Sequence, residues 1–479
     1  MKPHALAAVV LASLAGCSGD PPAAPQLTAC SLTRPALSDF RLRAEGTQLR
    51  DALGRVVVLR GVNAGGRSKL PPFAPFDFAD GAYDAALGAY LDRAASWGIN
   101  TLRVPFTWEA VEPTEGADDE AFLKRYDALL DAAWKRGMFT VVDFHQDIYA
   151  AVLCGDGFPA WTLSGPQPAP HHDCPGWGTK YLTDPAVRAA FDAFWADGSK
   201  ARAAYEKLWD RVATRYGDWP GVIGFEPFNE PAPGSADPDL WEATTLTTFY
   251  TGIAARIHAA APASLVFLDA TGIDSILAST QLARPQGDGI VFAPHYYQPA
   301  ALNGSTPDPG SVRGAVQRWA NVGAKWKVPV LLGEFGATSS TPGATGYLTA
   351  HFDALDALGV SGTEWEYSTS PELWNAEDLS LVAGDGNESP LAAAIVRPFA
   401  RAVAGDGVVL SYQAASQRLD LRYTPASSGI TEIAVPERAY PTGHTVTITG
   451  GCFDASIAGT LLVRADAGAG SVEVKIAPR

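Results

Sequence analysis

The chain is short of the residues that would hold a polyanion. Lys and Arg total 36 against 52 Asp and Glu, the net charge is −16, and no basic run occurs. That excludes a phosphate-neutralising stripe for nucleic acid and electrostatic attachment to anionic lipid. No CxxC pair occurs among the 5 cysteines, so a cysteine-based zinc site has no scaffold. No Gly-rich phosphate loop follows the first candidate strand, which removes the support for a doubly wound dinucleotide-binding sheet. The apolar run at residues 5–15 is too short to span a bilayer as a stable helix.

What remains is a globular composition, 47% apolar and 18% charged, with 13 Trp. Aromatic faces stack on sugar rings and lipids, but they fill cores equally well. A length of 479 residues exceeds one ordinary core and points to two domains. At the N-terminus Lys2 and His4 precede the apolar run, which ends in Leu14-Ala15-Gly16-Cys17. This resembles a bacterial lipobox: residues 1–17 read as a signal peptide whose Cys17 becomes the lipidated first residue. Ser18 after it hints at the outer membrane or surface, and the stretch to residue 35 reads as a Pro/Ala-rich tether. The chain is therefore expected to be exported, as an envelope lipoprotein or a secreted protein. Cys30, Cys154, Cys174 and Cys452 then remain, an even count that suggests disulfides. Cys154 and Cys174 flank one loop and are expected to pair, which leaves Cys30 for Cys452.

Short apolar runs at 56–62, 100–105, 139–144, 222–228, 265–268, 290–294, 328–333 and 362–367 alternate with helical patterns such as 83–97, 120–136, 186–216 and 240–260. Eight strands with intervening helices predict an α/β fold, a (β/α)8 TIM barrel over 36–402. After residue 403 short strands are split by Gly, Ala, Ser and Pro, which predicts a C-terminal β-sandwich over 403–479.

In such a barrel the chemistry sits where strands end. Two buried runs end in carboxylates, one in Asn229-Glu230-Pro231 and the other in Gly333-Glu334-Phe335-Gly336. Paired carboxylates at separate strand ends are what glycoside hydrolysis needs. Other strand ends carry Asn63 with Lys69, Arg103, His145 with Asp147, His295 with Tyr297, and Trp365. Strand parity sends Asn229 and Glu230 to opposite faces, so both reach one site only if the chain bends there.

These motifs identify a resemblance. Arg60-Gly61-Val62-Asn63, Ser68-Lys69-Leu70-Pro71-Pro72, Asp143-Phe144-His145-Gln146-Asp147, Phe228-Asn229-Glu230-Pro231, Pro294-His295-Tyr296-Tyr297 and Gly333-Glu334-Phe335-Gly336 are similar to those of family 5 glycoside hydrolases. The Ser-Lys-Leu-Pro-Pro and Phe-His-Gln-Asp stretches resemble the branch of endoglycoceramidases and related glycolipid glycosidases. The resemblance implies that Glu230 is the acid/base and Glu334 the nucleophile of a retaining reaction. Arg103 and Tyr297 would then serve Glu334, and Asn229 would meet the sugar 2-hydroxyl. Lys69, His145, Asp147, His295 and Trp365 would contact the sugar, and a non-proline cis peptide would follow Trp365. Glu226, Glu109 and Glu112 read as structural, and Glu364 and Glu366 depart from the family pattern.

The long loop at 150–181 could supply an apolar trough for a lipid, with Phe73, Phe158, Trp161 and Trp177 as candidates. No cofactor and no metal are expected: a carboxyl protonates the leaving group, and His171 and His172 beside Cys174 lack further ligands. The expected partner is a glycolipid or another β-glycoside, met by a monomer that a lipid anchor could hold at a membrane. Three other readings stay open: a β-glucosidase for steryl or simple lipid glucosides, a family 5 endoglucanase, and a non-catalytic glycan-binding surface lipoprotein.

Overall fold

The computed structural model describes residues 29–36, 39–369, 374–426 and 429–479. The signal and lipidation expectations at 1–17, Cys17 included, and most of the tether lie outside them. Eight parallel strands form the catalytic half: β1 (Arg60–Asn63), β2 (Thr101–Phe106), β3 (Phe139–Phe144), β4 (Val222–Glu226), β5 (Leu265–Leu268), β6 (Ile290–Phe292), β7 (Leu331–Leu332) and β8 (Ser361–Glu364). Each strand except β6 pairs in parallel with the next in sequence, and β8 pairs with β1. A parallel bridge from Phe292 to Val330 joins β6 to the start of β7 and closes the cylinder.

Helices cover the outside with apolar stripes turned inward, as on Glu120–Trp134, where Phe122, Tyr126, Leu129 and Ala133 are buried. The long helix expected over 186–216 is two helices, Pro185–Trp195 and Lys200–Tyr216. Gly198 at φ 73° breaks it, and Ser199 restarts it by accepting the Arg202 N–H. No helix among the described residues is long and apolar enough to cross a membrane.

The sandwich is larger than 403–479. Its seven-stranded sheet takes in Arg43–Glu45, Gln48–Arg50 and Val56–Val57 from the N-terminus, together with Phe399–Val403. The apolar run at 56–62 therefore serves two sheets: Val56 and Val57 pair antiparallel with Val403 and Ala402, and the barrel begins only at Arg60. An uninterrupted run of buried residues carries no mark of that change. A four-stranded sheet faces the seven-stranded one, and its Leu419, Leu421, Val474 and Ile476 fill the shared core with Ile433, Leu461 and Val463. Arg397 ties the sandwich to the barrel through Asp353 and Asp356, and Asp356 also holds Arg60 of β1. Disulfides join Cys30 to Cys452 and Cys154 to Cys174.

Candidate active site

The lower barrel interior is an apolar layer that includes Leu59, Val141, Phe267, Val291 and Leu331. Two residues further along the same inward faces, Val141 gives way to Asp143 and Phe267 to Asp269. Arg103 occupies this polar layer with no exposure at all. Its Nε and Nη2 donate to the two Glu226 oxygens at 2.9 and 2.7 Å, and Nη2 is 3.0 Å from Asp143. Its Nη1 donates to Glu334 Oε1 at 2.7 Å and to Asn63 Oδ1 at 2.9 Å. Burial pulls the guanidinium pKa down, but Asp143, Glu226 and Glu334 outweigh it and raise it well above its usual value. Tyr297 donates its hydroxyl to the other Glu334 oxygen at 3.0 Å. Two donors converging on Glu334 suit an ionised carboxylate.

β4 ends at Glu226, and the Pro227-Phe228-Asn229 turn carries the chain to Glu230, whose φ is 40°. This left-handed residue supplies the bend that lets both Asn229 and Glu230 serve one site. Asp269 accepts the Glu230 backbone N–H at 2.9 Å. Glu230 Oε1 accepts the Ser275 hydroxyl at 2.8 Å and lies 2.9 Å from His295 Nδ1. Burial, and next the Asp147 charge, push the Glu230 carboxyl up to about 7. An oxygen of Glu230 and an oxygen of Glu334 lie within 4.8 Å of one another, with His295 between them. A retaining pair stands about 5–5.5 Å apart, whereas an inverting pair needs about 6.5–9.5 Å to admit water.

Lys69 Nζ donates to Asp147 at 2.7 Å and to Glu377 at 3.2 Å, and it sits 3.9 Å from the Trp374 ring and 4.7 Å from Trp365. His145 stacks on Trp365, 4.8 Å between centroids and 10° from parallel. Burial draws His145 down, but its hydrogen bond to the Asp143 carboxylate at 2.9 Å and the Asp147 carboxylate 3.5 Å from its Nε2 outweigh burial and lift it to about 10. The Trp365–Glu366 peptide is cis.

These groups open into a cavity of about 740 Å³ lined by Lys69, His145, Asp147, Glu230, Tyr297, Glu334 and Trp365. Asn229 and His295, expected to touch the sugar, do not line it, nor does Arg103, counted with them as substrate-binding through Glu334; all three lie beneath, at most 1% exposed. Arg103 spends its donors on Glu226, Asn63, Glu334 and Asn229 rather than on the cavity. Asn229 accepts from Arg103 and donates to the Gln146 carbonyl, which leaves one amide hydrogen for a sugar hydroxyl. His295 sits beneath the two glutamates, its Nε2 3.3 Å from Asp269. Burial holds its pKa down near about 3, so the ring is neutral.

Of the trough candidates, only Trp177 lines the cavity. Phe158 is wholly buried against Tyr149, Trp161 packs on Trp108 and donates to the Glu112 carbonyl, and Phe73 packs on Phe122. An aromatic in a long loop reads the same whether it plugs the core or faces a ligand. The apolar lip is built instead from aliphatic residues: Leu182, Ile273, Ile276 and Leu302. Leu182 is 58% exposed, Ile276 45% and Leu302 41%.

Asp269, Ser275, Gly272 and Glu377 were also missed. Asp269 is within reach of the strand-end rule, because it directly follows β5. Ser275 and Gly272 sit on the helix Gly272–Leu277 and carry no motif. Glu226 is Arg103's bidentate partner, and Glu112 accepts from Trp108, Gly116 and Arg211. Glu364 and Glu366 are buried and outside the cavity lining. Glu366 accepts from Gly66 and Ser368, and burial raises Glu364 well above the carboxylate range. The sulfur of Cys174 beside His171 and His172 is held in the disulfide with Cys154.

The model of the family described as cellulase (glycosyl hydrolase family 5) matches residues 71–370, and that of the glycoside hydrolase family 5 C-terminal domain matches 397–476. Endoglycoceramidase I of Rhodococcus hoagii (strain 103S) is 28% identical over 92% of this chain and 89% of its own. Endo-glycoceramidase II from Rhodococcus sp. in its ganglioside GM3 complex is 27% identical, with a TM-score of 0.75 over 90% of this chain and 99% of that one. The same protein as a lactosyl-enzyme intermediate matches at 27% identity and a TM-score of 0.73, over 90% of this chain and 100% of that one. With both domains matched and two carboxylates set across one pocket, this chain belongs to glycoside hydrolase family 5.

Proposed function

We propose that this enzyme is a retaining β-glycosidase that cuts the bond between the glycan and the ceramide of a glycosphingolipid. The observation that carries the reading is the two-part cavity. Its floor is charged and aromatic, through Lys69, His145, Asp147, Glu230, Glu334 and Trp365, and its lip is aliphatic, through Leu182, Ile273, Ile276 and Leu302. A substrate with a sugar head and a lipid tail matches both parts. The relatives bearing the name endoglycoceramidase, and the one solved with a ganglioside, support the same choice.

In the first step the Glu334 carboxylate attacks the anomeric carbon. The C1–O bond breaks, and the leaving oxygen takes the Glu230 proton. In the second step the ionised Glu230 takes a proton from water, whose oxygen attacks C1 and frees Glu334. Arg103 and Tyr297 hold Glu334 in line, and Asn229, beneath the floor, keeps one amide hydrogen that a sugar 2-hydroxyl reaching down to it would take. The raised pKa of Glu230 keeps it protonated for the first step near neutral pH. A lipid anchor at Cys17 would place the pocket near its substrate, and two disulfides fit an oxidising compartment.

The test is mass spectrometry of the products from a mixture of gangliosides, lactosylceramide, glucosylceramide and steryl glucoside. Intact oligosaccharide together with free ceramide supports the reading. Glucose released from glucosylceramide or the steryl glucoside alone contradicts it.

A further inference from the structure

The Ser275 hydroxyl has one hydrogen and three acceptors. Glu230 Oε1 lies at 2.8 Å, the Gly272 carbonyl at 2.8 Å and the Thr271 carbonyl at 3.4 Å. The hydrogen can serve one of them fully at a time. Ser275 is 3% exposed, lines the cavity, and sits on the helix that follows β5. Both Ser275 and His295 meet Glu230 at Oε1, and among the described residues no hydrogen bond reaches Oε2. Gly272 faces Oε2 and leaves it room: a Cβ there would stand 2.7 Å away.

We infer that Ser275 is a positioning residue for the acid/base Glu230, a hydroxyl that donates to Oε1 when Glu230 is ionised and turns to the Gly272 carbonyl when it is protonated. The inference rests on the acid/base reading of Glu230 above. It assigns Oε2 as the oxygen that carries the proton to the leaving group, because Oε1 faces Ser275 and His295 whereas no described donor meets Oε2. It also keeps Glu230 ionised for the second step down to lower pH. A hydrogen bond to a charged acceptor favours that charge, so the hydroxyl stabilises the ionised Glu230 that the second step requires.

Other charges face Glu230 from each neighbouring element. Lys69 comes from the loop after β1, His145 and Asp147 from the end of β3, Asp269 from β5, His295 from beyond β6, and Glu334 from β7. Tyr181 and Tyr297 also sense the Glu230 charge. A substitution at Ser275 removes none of them. Neutral His295 has a single N–H, and Glu230 and Asp269 compete for it, so Ser275 is the donor free to follow the charge on Glu230.

The experiment compares pH profiles of the full chain and its variants on two β-glycosides. One carries a strongly acidic phenol, so that kcat reports the second step; the other has an alcohol leaving group, so that kcat/KM reports the first. Ser275→Ala should move the acidic limb of kcat and the alkaline limb of kcat/KM upward together by about one pH unit. At pH 5 the kcat on the phenol substrate then falls about tenfold. Ser275→Thr, which keeps the hydroxyl, should restore both limbs. Limbs that stay in place in Ser275→Ala, or an equal loss at every pH, overturn the assignment of Ser275. Ser275→Cys, a much weaker donor of similar size, gives the same reading if the alanine variant does not fold. Glu230→Gln separates the two claims: if it retains wild-type kcat/KM on the alcohol leaving group, Glu230 is not the acid, and both claims fall.

Discussion

Arg103 Nη1 stands 2.7 Å from Glu334 Oε1, in a layer where Arg103 and Glu226 are both fully buried. The same guanidinium thus fixes the nucleophile and neutralises a carboxylate that touches no solvent. Arg103→Met should remove both functions. Leaving Glu226 without its partner costs about 3–5 kcal/mol of stability, and activity falls with it. The double variant Arg103→Met/Glu226→Gln should regain much of the stability and none of the activity. Urea melts beside kcat/KM check this, and equal recovery of both would contradict it.

Gly272 permits the close approach of Glu230. Because the atom in the way is the far end of a flexible side chain, Gly272→Ala should fold normally. It should displace the carboxyl and lower kcat/KM by about 10²-fold on substrates whose leaving group needs a proton. Substrates with a strongly acidic phenol should be affected far less. Thermal melts and the two kcat/KM values decide it.

The alkaline limb of kcat/KM should reflect Glu230 and lie near pH 7, since this group must be protonated in the first step and burial raises it to about 7. Asp147→Asn removes the negative charge that lifts it after burial, so that limb should move down. A pH series on the purified variant measures the shift, and an upward move would contradict the electrostatics.

His145 adds a pH term to stability. Its folded pKa of about 10 exceeds the ordinary 6.5, so the folded state binds the extra proton. That stabilisation is full below about pH 6.5 and is lost as pH rises through about 10. His145→Gln should flatten the fall in unfolding free energy across this window, as read by urea denaturation at several pH values.

The aliphatic lip should matter only when the substrate has a lipid. Leu182→Ser/Ile276→Ser/Leu302→Ser should cut activity on lactosylceramide about tenfold or more while leaving hydrolysis of a soluble aryl lactoside within about twofold, since each buried aliphatic side chain contributes about 1.5–3 kcal/mol. Parallel losses on both substrates would remove the lip from the account.

The barrel was legible because buried parallel strands and amphipathic helices leave different periods, and the two glutamates because each closes a short apolar run before Pro231 or Gly336. The role of Val56 and Val57 was not, since sheet membership depends on partners far along the chain, here Ala402 and Val403. The lip was misplaced because Phe158 and Trp161 look like lipid contacts in sequence, while Leu182 and Ile276 look like core. Packing partners separate those cases, and sequence does not state them. Asp269 is within reach of the same rule, since it follows β5 as Glu334 follows β7.

The central claim is that Glu334 forms a covalent bond to the sugar while Glu230 faces it as acid and then base. A 2-deoxy-2-fluoro β-lactoside with an activated phenol should trap this intermediate. Peptide mass spectrometry should then find the sugar mass on the fragment containing Glu334, and on no fragment containing Glu230. The label on another residue, or no label from an enzyme that turns over the parent lactoside, would contradict it.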